Sequence, residues 1–218
     1  MDTMANTRQA GRAGRRGYTA VEVLSAMTIF AIGAAGVIGM QRVTIQGGQD
    51  ARRLDVATNI AHEWIARLQR DSMAWTLPSN RNKTTENLTT NTLWLKDIGK
   101  GACTAPSYCD PPTVTGADAA GRSAAFDVFG RDRPSGSGDH AYCVQYRFWW
   151  GQPLGSAPQF SEQATIRAEI RVLYSRLERA PIGECGDYSV NPDTDQGRAA
   201  YHVVYAVTTL RSNQESPL

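Results

Sequence analysis

The chain has 218 residues, a length that suits one good-sized domain with an appendage. Its formal net charge is +2, but residues 1–17 hold four arginines against one aspartate, so the rest of the chain is slightly acidic. Without a basic excess beyond residue 17 there is no electrostatic footprint for phosphates, and we expect no direct binding of nucleic acid.

An apolar run from Tyr18 to Met40 follows the basic segment, and Glu22 is its one charged residue. A helix of this length spans a bilayer, so we expect a membrane segment at 18–40. An unpaired charge at bilayer depth costs about 2.5–3.5 kcal/mol or more, which makes Glu22 a candidate functional residue. Five glycines weaken the helix and predict local bending or melting, namely Gly33, Gly36, Gly39, Gly47 and Gly48.

Helical periodicity continues beyond the apolar run. Apolar residues at three- and four-residue steps predict one buried stripe, made of Leu54, Ala57, Ile60, Ala61, Trp64, Ile65 and Leu68. Charged residues are expected on the other sides, namely Arg52, Arg53, Asp55, Glu63, Arg67 and Arg70. The pattern therefore predicts a helix over 18–75 whose second half packs on a globular domain at 76–218.

The C-terminal half is rich in strand signals. Three runs are predicted to be strands, at 142–150, 164–174 and 201–211. In the middle run apolar and charged residues alternate from Ile166 to Val172, as in a half-buried antiparallel strand. The segment "RDRPSGSGD" at 131–139 predicts an exposed turn.

The run "YRFWW" holds Trp149, which we single out as a candidate partner patch. In a strand Phe148 and Trp150 share one face and Trp149 lies on the other. Tryptophan is enriched at binding hot spots, so an exposed Trp149 would suit a partner contact. The alternative is that both faces are core.

Four cysteines, Cys103, Cys109, Cys143 and Cys185, follow the membrane segment. An even number downstream of such a segment predicts two disulfides formed outside the cytoplasm. Of three connectivities we favour Cys103 with Cys109 and Cys143 with Cys185. Free buried thiols are the alternative, and a zinc site is disfavoured because no C-x-x-C pair exists.

No enzymatic motif is found, and we expect neither a catalytic residue, a cofactor nor a metal. The pair His62-Glu63 lacks the second histidine of the zinc motif HExxH. Asp193 and Asp195 in "NPDTDQG" offer oxygen ligands for calcium, but the EF-hand pattern is missing.

The N-terminal residues match a known pattern. A basic leader ending in Gly17, then Tyr18 and Thr19, then Glu22 as the fifth residue of an apolar helix, resembles the class III leader of type IV prepilins and of type II secretion pseudopilins. The resemblance implies cleavage between Gly17 and Tyr18 by the prepilin peptidase, which also N-methylates Tyr18. Thr19 and Glu22 become subunit assembly residues by the same resemblance.

The segment "ATNIAHEWIARLQRD", from Ala57 to Asp71, looks like the helix of PilV-type minor pilins. This resemblance implies an α+β, type IV pilin-like fold, with a long N-terminal helix packed on an antiparallel sheet and disulfide-stabilised loops. It implies a non-enzymatic subunit of the inner membrane, and later of the pilus and cell surface, that helps pilus assembly and twitching motility. The implied partners are other minor pilins, the major pilin, the assembly platform and, in some relatives, a large tip adhesin.

Two departures and three alternatives accompany the resemblance. Most relatives have Phe in place of Tyr18, and the proline that major pilins carry about twenty residues into the mature helix is missing. The chain is alternatively a type II secretion pseudopilin, which shares the leader. A second alternative is an exported soluble periplasmic binding protein or enzyme, cleaved after Ala34 or Ala35. A third is a plain membrane anchor whose Glu22 reaches the headgroups.

Overall fold

The computed structural model describes residues 17–75, 86–99, 103–104, 106–111, 121–134, 136–138, 140–151, 165–176, 182, 184–186, 188 and 190–211. The leader at 1–16 lies outside these residues. The chain forms two compact units, of which the first ends at Gln49 and the second begins at Asp50. The second unit begins earlier than residue 76, because it includes the second half of the long helix.

Helix α1 runs from Ala20 to Ser72. It is helical through all five glycines of its first half, so the helix does not melt there, and the bending stays a prediction. Nothing in the described residues lies within 4 Å of where a side chain at these glycines would begin.

The second unit holds an antiparallel sheet of five strands in the order β2-β1-β3-β4-β5. The described elements are α2 (Glu86–Asn91), α3 (Lys96–Gly99), β1 (Ala125–Phe126), β2 (Asp132–Arg133), β3 (Tyr142–Trp150), β4 (Thr165–Ser175), α4 (Asp195–Ala200) and β5 (Tyr201–Arg211). The α+β layout, a long N-terminal helix with an antiparallel sheet and two disulfides, is confirmed. The three long strands agree with prediction to within one residue, and β1 and β2 were not predicted.

The core forms where the second half of α1 packs on the sheet. Trp64 lies 5.0 Å from Trp94 and 6.2 Å from Tyr146 of β3, measured between ring centroids. The buried residues of the helical stripe are Ala57, Ile60, Ala61, Trp64 and Leu68. Burying each large side chain of this kind contributes roughly 1.5–3 kcal/mol. Leu54, expected in the same stripe, is instead 48% exposed.

Arg67 corrects the prediction that it lies on the polar side of the helix. It is 3% exposed, and its guanidinium donates to the carbonyl of Ser123 at 3.0 Å and to the carboxylate of Asp132 at 3.0 Å. The same group lies over the ring of Phe126, 5.4 Å from its centroid. A buried arginine is tolerated because its charge is paired, and this one joins α1 to β1 and β2.

The turn between β1 and β2 packs on the same stretch of helix. The Asp127 carboxylate accepts hydrogen bonds from the amides of Phe129 and Arg131, which closes the turn. Gly130 has φ of 76°, and a side chain there would begin 3.1 Å from Val56. Only glycine combines this backbone with so close an approach.

We expect Arg67→Met to lower the free energy of unfolding of the second unit by about 3 kcal/mol, because it leaves the Asp132 carboxylate partly buried without its cation. Denaturant unfolding of the full chain in detergent, followed by near-ultraviolet circular dichroism, measures the effect. Arg52→Met, an exposed position on the same helix, is the control and should change little. Equal effects of the two substitutions would contradict the role given to Arg67.

Candidate functional site

Helix α1 begins directly after the predicted cleavage site. Residues 17–19 have no regular structure, and the carbonyl of Thr19 accepts hydrogen bonds from the amides of Glu22 and Val23 at 3.0 and 3.2 Å. The Thr19 hydroxyl also accepts from the Glu22 amide, at 3.3 Å. Thr19 therefore caps the helix, and Tyr18 is the residue before the cap.

Glu22 lies in the first turn of this helix, and its side chain is exposed. The N-terminal end of a helix carries a partial positive charge, so a carboxylate is favoured there even without a further partner. Thr19-Ala20-Val21-Glu22 is the pattern of a capping box, a local signal for this helix start that the sequence displays. Glu22 is thus suited to two roles, in helix capping and in pairing with a cation.

The first half of α1 exposes apolar side chains on all sides. Its exposed large residues are Val21, Val23, Leu24, Met27, Ile29, Phe30, Ile32, Val37, Ile38, Met40, Val43 and Ile45. None of the residues in the most apolar part of the helix is buried. The helix is long and apolar enough to cross a membrane. A helix that is apolar all round needs lipid or other helices around it.

Trp149 lies on the outer face of the sheet, which we define as the side opposite α1. Its ring is partly buried between the guanidinium groups of Arg147 and Arg167, at 4.8 and 5.5 Å from the ring centroid. Phe148 is buried, and Trp150 packs on Trp75 at 6.0 Å on the side of the helix. The strand places these rings on the faces predicted, and the partner role of Trp149 stays a prediction.

The structure joins Cys103 to Cys109 and Cys143 to Cys185, the pairing favoured from the sequence. The loop closed by the first disulfide pairs with β3 along the part of its edge that β1 does not reach. The amide of Cys109 donates to the carbonyl of Tyr146 at 2.9 Å, and the amide of Phe148 donates to the carbonyl of Cys103 at 2.8 Å. The disulfide therefore fixes a short segment that pairs with β3 beyond β1.

This loop covers charged residues on the outer face. The Tyr108 ring stacks between Arg147 and Arg171, whose guanidinium carbons lie 4.3 and 3.7 Å from its centroid, and its hydroxyl donates to Glu169. Burial and this hydrogen bond raise the pKa of Tyr108, so the ring stays neutral. Arg171 was predicted on a solvent face, but it is only 3% exposed because Tyr108 and Asp193 cover it.

Asp193 and Asp195, considered above as calcium ligands, lie in different surroundings. Both oxygens of Asp193 accept hydrogen bonds from Arg171, at 2.5 and 3.2 Å. Asp195 is fully exposed, and its carboxylate lies 3.8 Å from Arg198. Because the Asp193 carboxylate already has the Arg171 cation as its partner, we interpret Asp193 as a structural residue and not as a calcium ligand.

Across the part of the chain that the structure describes, no group of three or more His, Cys, Asp and Glu side chains is arranged to hold a metal ion. The chain matches no family model, no curated protein and no solved structure.

The Arg171–Asp193 pair predicts a change in acid stability. Hydrogen bonds from Arg171 hold the pKa of the Asp193 carboxyl below its usual value of 3.8. The pair therefore stabilises the fold above about pH 4, and this contribution is lost as the pH falls through the lowered pKa. We expect Asp193→Asn to lower the free energy of unfolding at pH 7. That free energy should also decrease less between pH 7 and pH 3 than it does in the wild type.

Urea unfolding at pH 7 and pH 3, followed by tryptophan fluorescence, measures this difference. Asp195→Asn, two residues away and fully exposed, is the matched control and should behave as the wild type. An unchanged acid response of Asp193→Asn would contradict the assignment.

Proposed function

We propose that this chain is a minor pilin of a type IV pilus, a structural subunit inserted into the filament through its N-terminal helix. The leader is removed after Gly17, and Tyr18 becomes the N-methylated first residue. Helix α1 then holds the subunit in the inner membrane until it packs with other pilins. The second unit lies outside the cytoplasm, which agrees with its two disulfides.

The start of helix α1 supports this proposal more than any other observation. The junction Gly17-Tyr18 immediately precedes the capping residue Thr19, and Glu22 lies in the first helical turn. After cleavage a new α-amine and a carboxylate would stand within about one helical turn of each other. This arrangement requires that the basic leader be removed and the apolar helix be kept.

Charge pairing gives Glu22 its proposed role. A free α-amine is protonated at neutral pH, so the mature helix would bring one cation and one anion into the membrane. Each charge is costly there when unpaired, and a pair between neighbouring subunits would lower that cost. Because the pair forms at one axial stagger, it would also set the register of each added subunit.

The proposed partners are the other minor pilins, the major pilin, the prepilin peptidase and the assembly platform, with a tip adhesin as a further partner. All-round exposure of apolar residues from Val21 to Ile45 supports helix packing as the mode of contact. A type II secretion pseudopilin would use the same helix start. The likeness of Ala57 to Asp71 to PilV-type minor pilins favours the pilus.

Mass spectrometry of the protein in sheared surface pili tests the proposal. We expect the intact chain in this fraction to begin with N-methylated Tyr18. A chain that begins near residue 35 or 36 and is recovered only in soluble form would indicate an exported soluble protein. A mature Tyr18 terminus in membranes without any protein in pili would favour the secretion system.

A substitution of Glu22 tests the pairing. We expect Glu22→Ala to leave cleavage after Gly17 intact and to lower the amount in sheared pili by about tenfold or more, since the amine loses its counter-charge in lipid. Quantitative immunoblots of membranes and pili measure the ratio. Ser25→Ala, one turn further along the helix, is the control, and normal incorporation of Glu22→Ala would remove the assembly role.

A further inference from the structure

Strand β5 is the last strand of the sheet, and no described segment pairs with its outer edge. The carbonyl of Thr165 in β4 accepts a hydrogen bond from the amide of Gly151, which directly follows β3. The amide of Arg176, which directly follows β4, donates a hydrogen bond to the carbonyl of Ala200, directly before β5. The backbone groups of successive residues point to opposite sides of a strand. The even-numbered residues of β4 therefore form their hydrogen bonds with β5, and the odd-numbered ones form theirs with β3. With Ile170 opposite Ala206, the odd-numbered residues of β5 turn their N–H and C=O groups away from the sheet.

Four of these outward residues form an uninterrupted row, namely Val203, Tyr205, Val207 and Thr209. Their backbone groups have no hydrogen-bond partner within the described part of the chain. Tyr205 and Val207 are 58% and 48% exposed on the outer face. From His202 to Leu210 the strand has no proline and no Asp, Glu, Lys or Arg, the residues that usually protect an open edge.

We propose that this open edge binds an extended segment of another subunit of the assembly, which adds to the sheet as a sixth strand. The outward groups repeat every two residues, about 6.8 Å, and another extended backbone matches that spacing. The added segment is uncharged over about seven residues, because β5 offers it no counter-charge there. Its alternate side chains are apolar where they lie beside Tyr205 and Val207.

Antiparallel pairing of two β5 strands from two copies of this chain is excluded, and this step rests on the proposed function. Two β5 strands joined antiparallel in one sheet are related by a two-fold axis perpendicular to that sheet. The helical segment Ala57–Leu68, which packs on the sheet, would then run in opposite directions in the two copies. Subunits anchored through their N-terminal helices in one membrane share one direction.

Photo-crosslinking of the full chain in cells that assemble pili tests the proposal. The photoreactive residue p-benzoylphenylalanine replaces Tyr205, and mass spectrometry identifies the cross-linked peptide. We expect an adduct with an uncharged segment of another pilus subunit. An adduct with a second copy, an adduct only with residues 212–218 of the same chain, or none at all would overturn the proposal.

A matched pair of substitutions distinguishes backbone pairing from a side-chain contact. Val207→Pro removes an outward N–H group without removing a hydrogen bond to β4, and should lower the adduct yield about tenfold. Val207→Thr keeps that N–H group and the side-chain shape, and should retain most of the yield. The reverse order would show a side-chain patch and overturn strand addition.

Two further readouts keep the outcomes separate. Protease resistance and disulfide formation report folding, and Thr209→Pro replaces Val207→Pro if that variant misfolds. Proline can also misfold a strand through its fixed φ, so if neither variant folds, the cross-linked partner found at position 205 alone decides the proposal. The mature N-terminus of the same samples reports on the proposed function, so either conclusion can fail without the other.

Discussion

Burial of apolar surface divides helix α1 into two stretches with different requirements. From Ala57 to Leu68 the apolar side chains pack on the sheet of the same chain, with Trp64 between Trp94 and Tyr146. From Val21 to Ile45 the apolar side chains are exposed, and nothing in the described residues covers them. The stretch from Val21 to Ile45 therefore requires lipid or other helices around it, a requirement that no described residue of the chain meets.

The elements that could be predicted are those in which side-chain periodicity and burial agree. Alternation from Ile166 to Val172 located β4 to within one residue, and the spacing of Ala57, Ile60 and Trp64 located the buried helix face. Strands β1 and β2 have two residues each, too few to show alternation. They exist because β3 offers an edge and α1 offers a surface, which are tertiary contacts that no local pattern displays.

The two arginines that were predicted wrongly share one physical cause. Arg67 and Arg171 were placed in solvent because they are charged, yet each is buried with its guanidinium paired. Asp132 is 65 residues from Arg67 along the chain, and Asp193 is 22 residues from Arg171. A periodicity argument evaluates each element alone and cannot identify such distant partners. The capping residue Thr19, by contrast, had a local signature and could have been predicted from the sequence.

The two edges of the sheet are not equivalent, and this has a consequence for how the protein associates. One side ends in strands of two residues and in the loop that Cys103 and Cys109 close over β3. The other side ends in the eleven-residue strand β5. Among the described strands, only β5 therefore offers a long unpaired edge, and any strand that joins this sheet by backbone hydrogen bonds would do so beside β5.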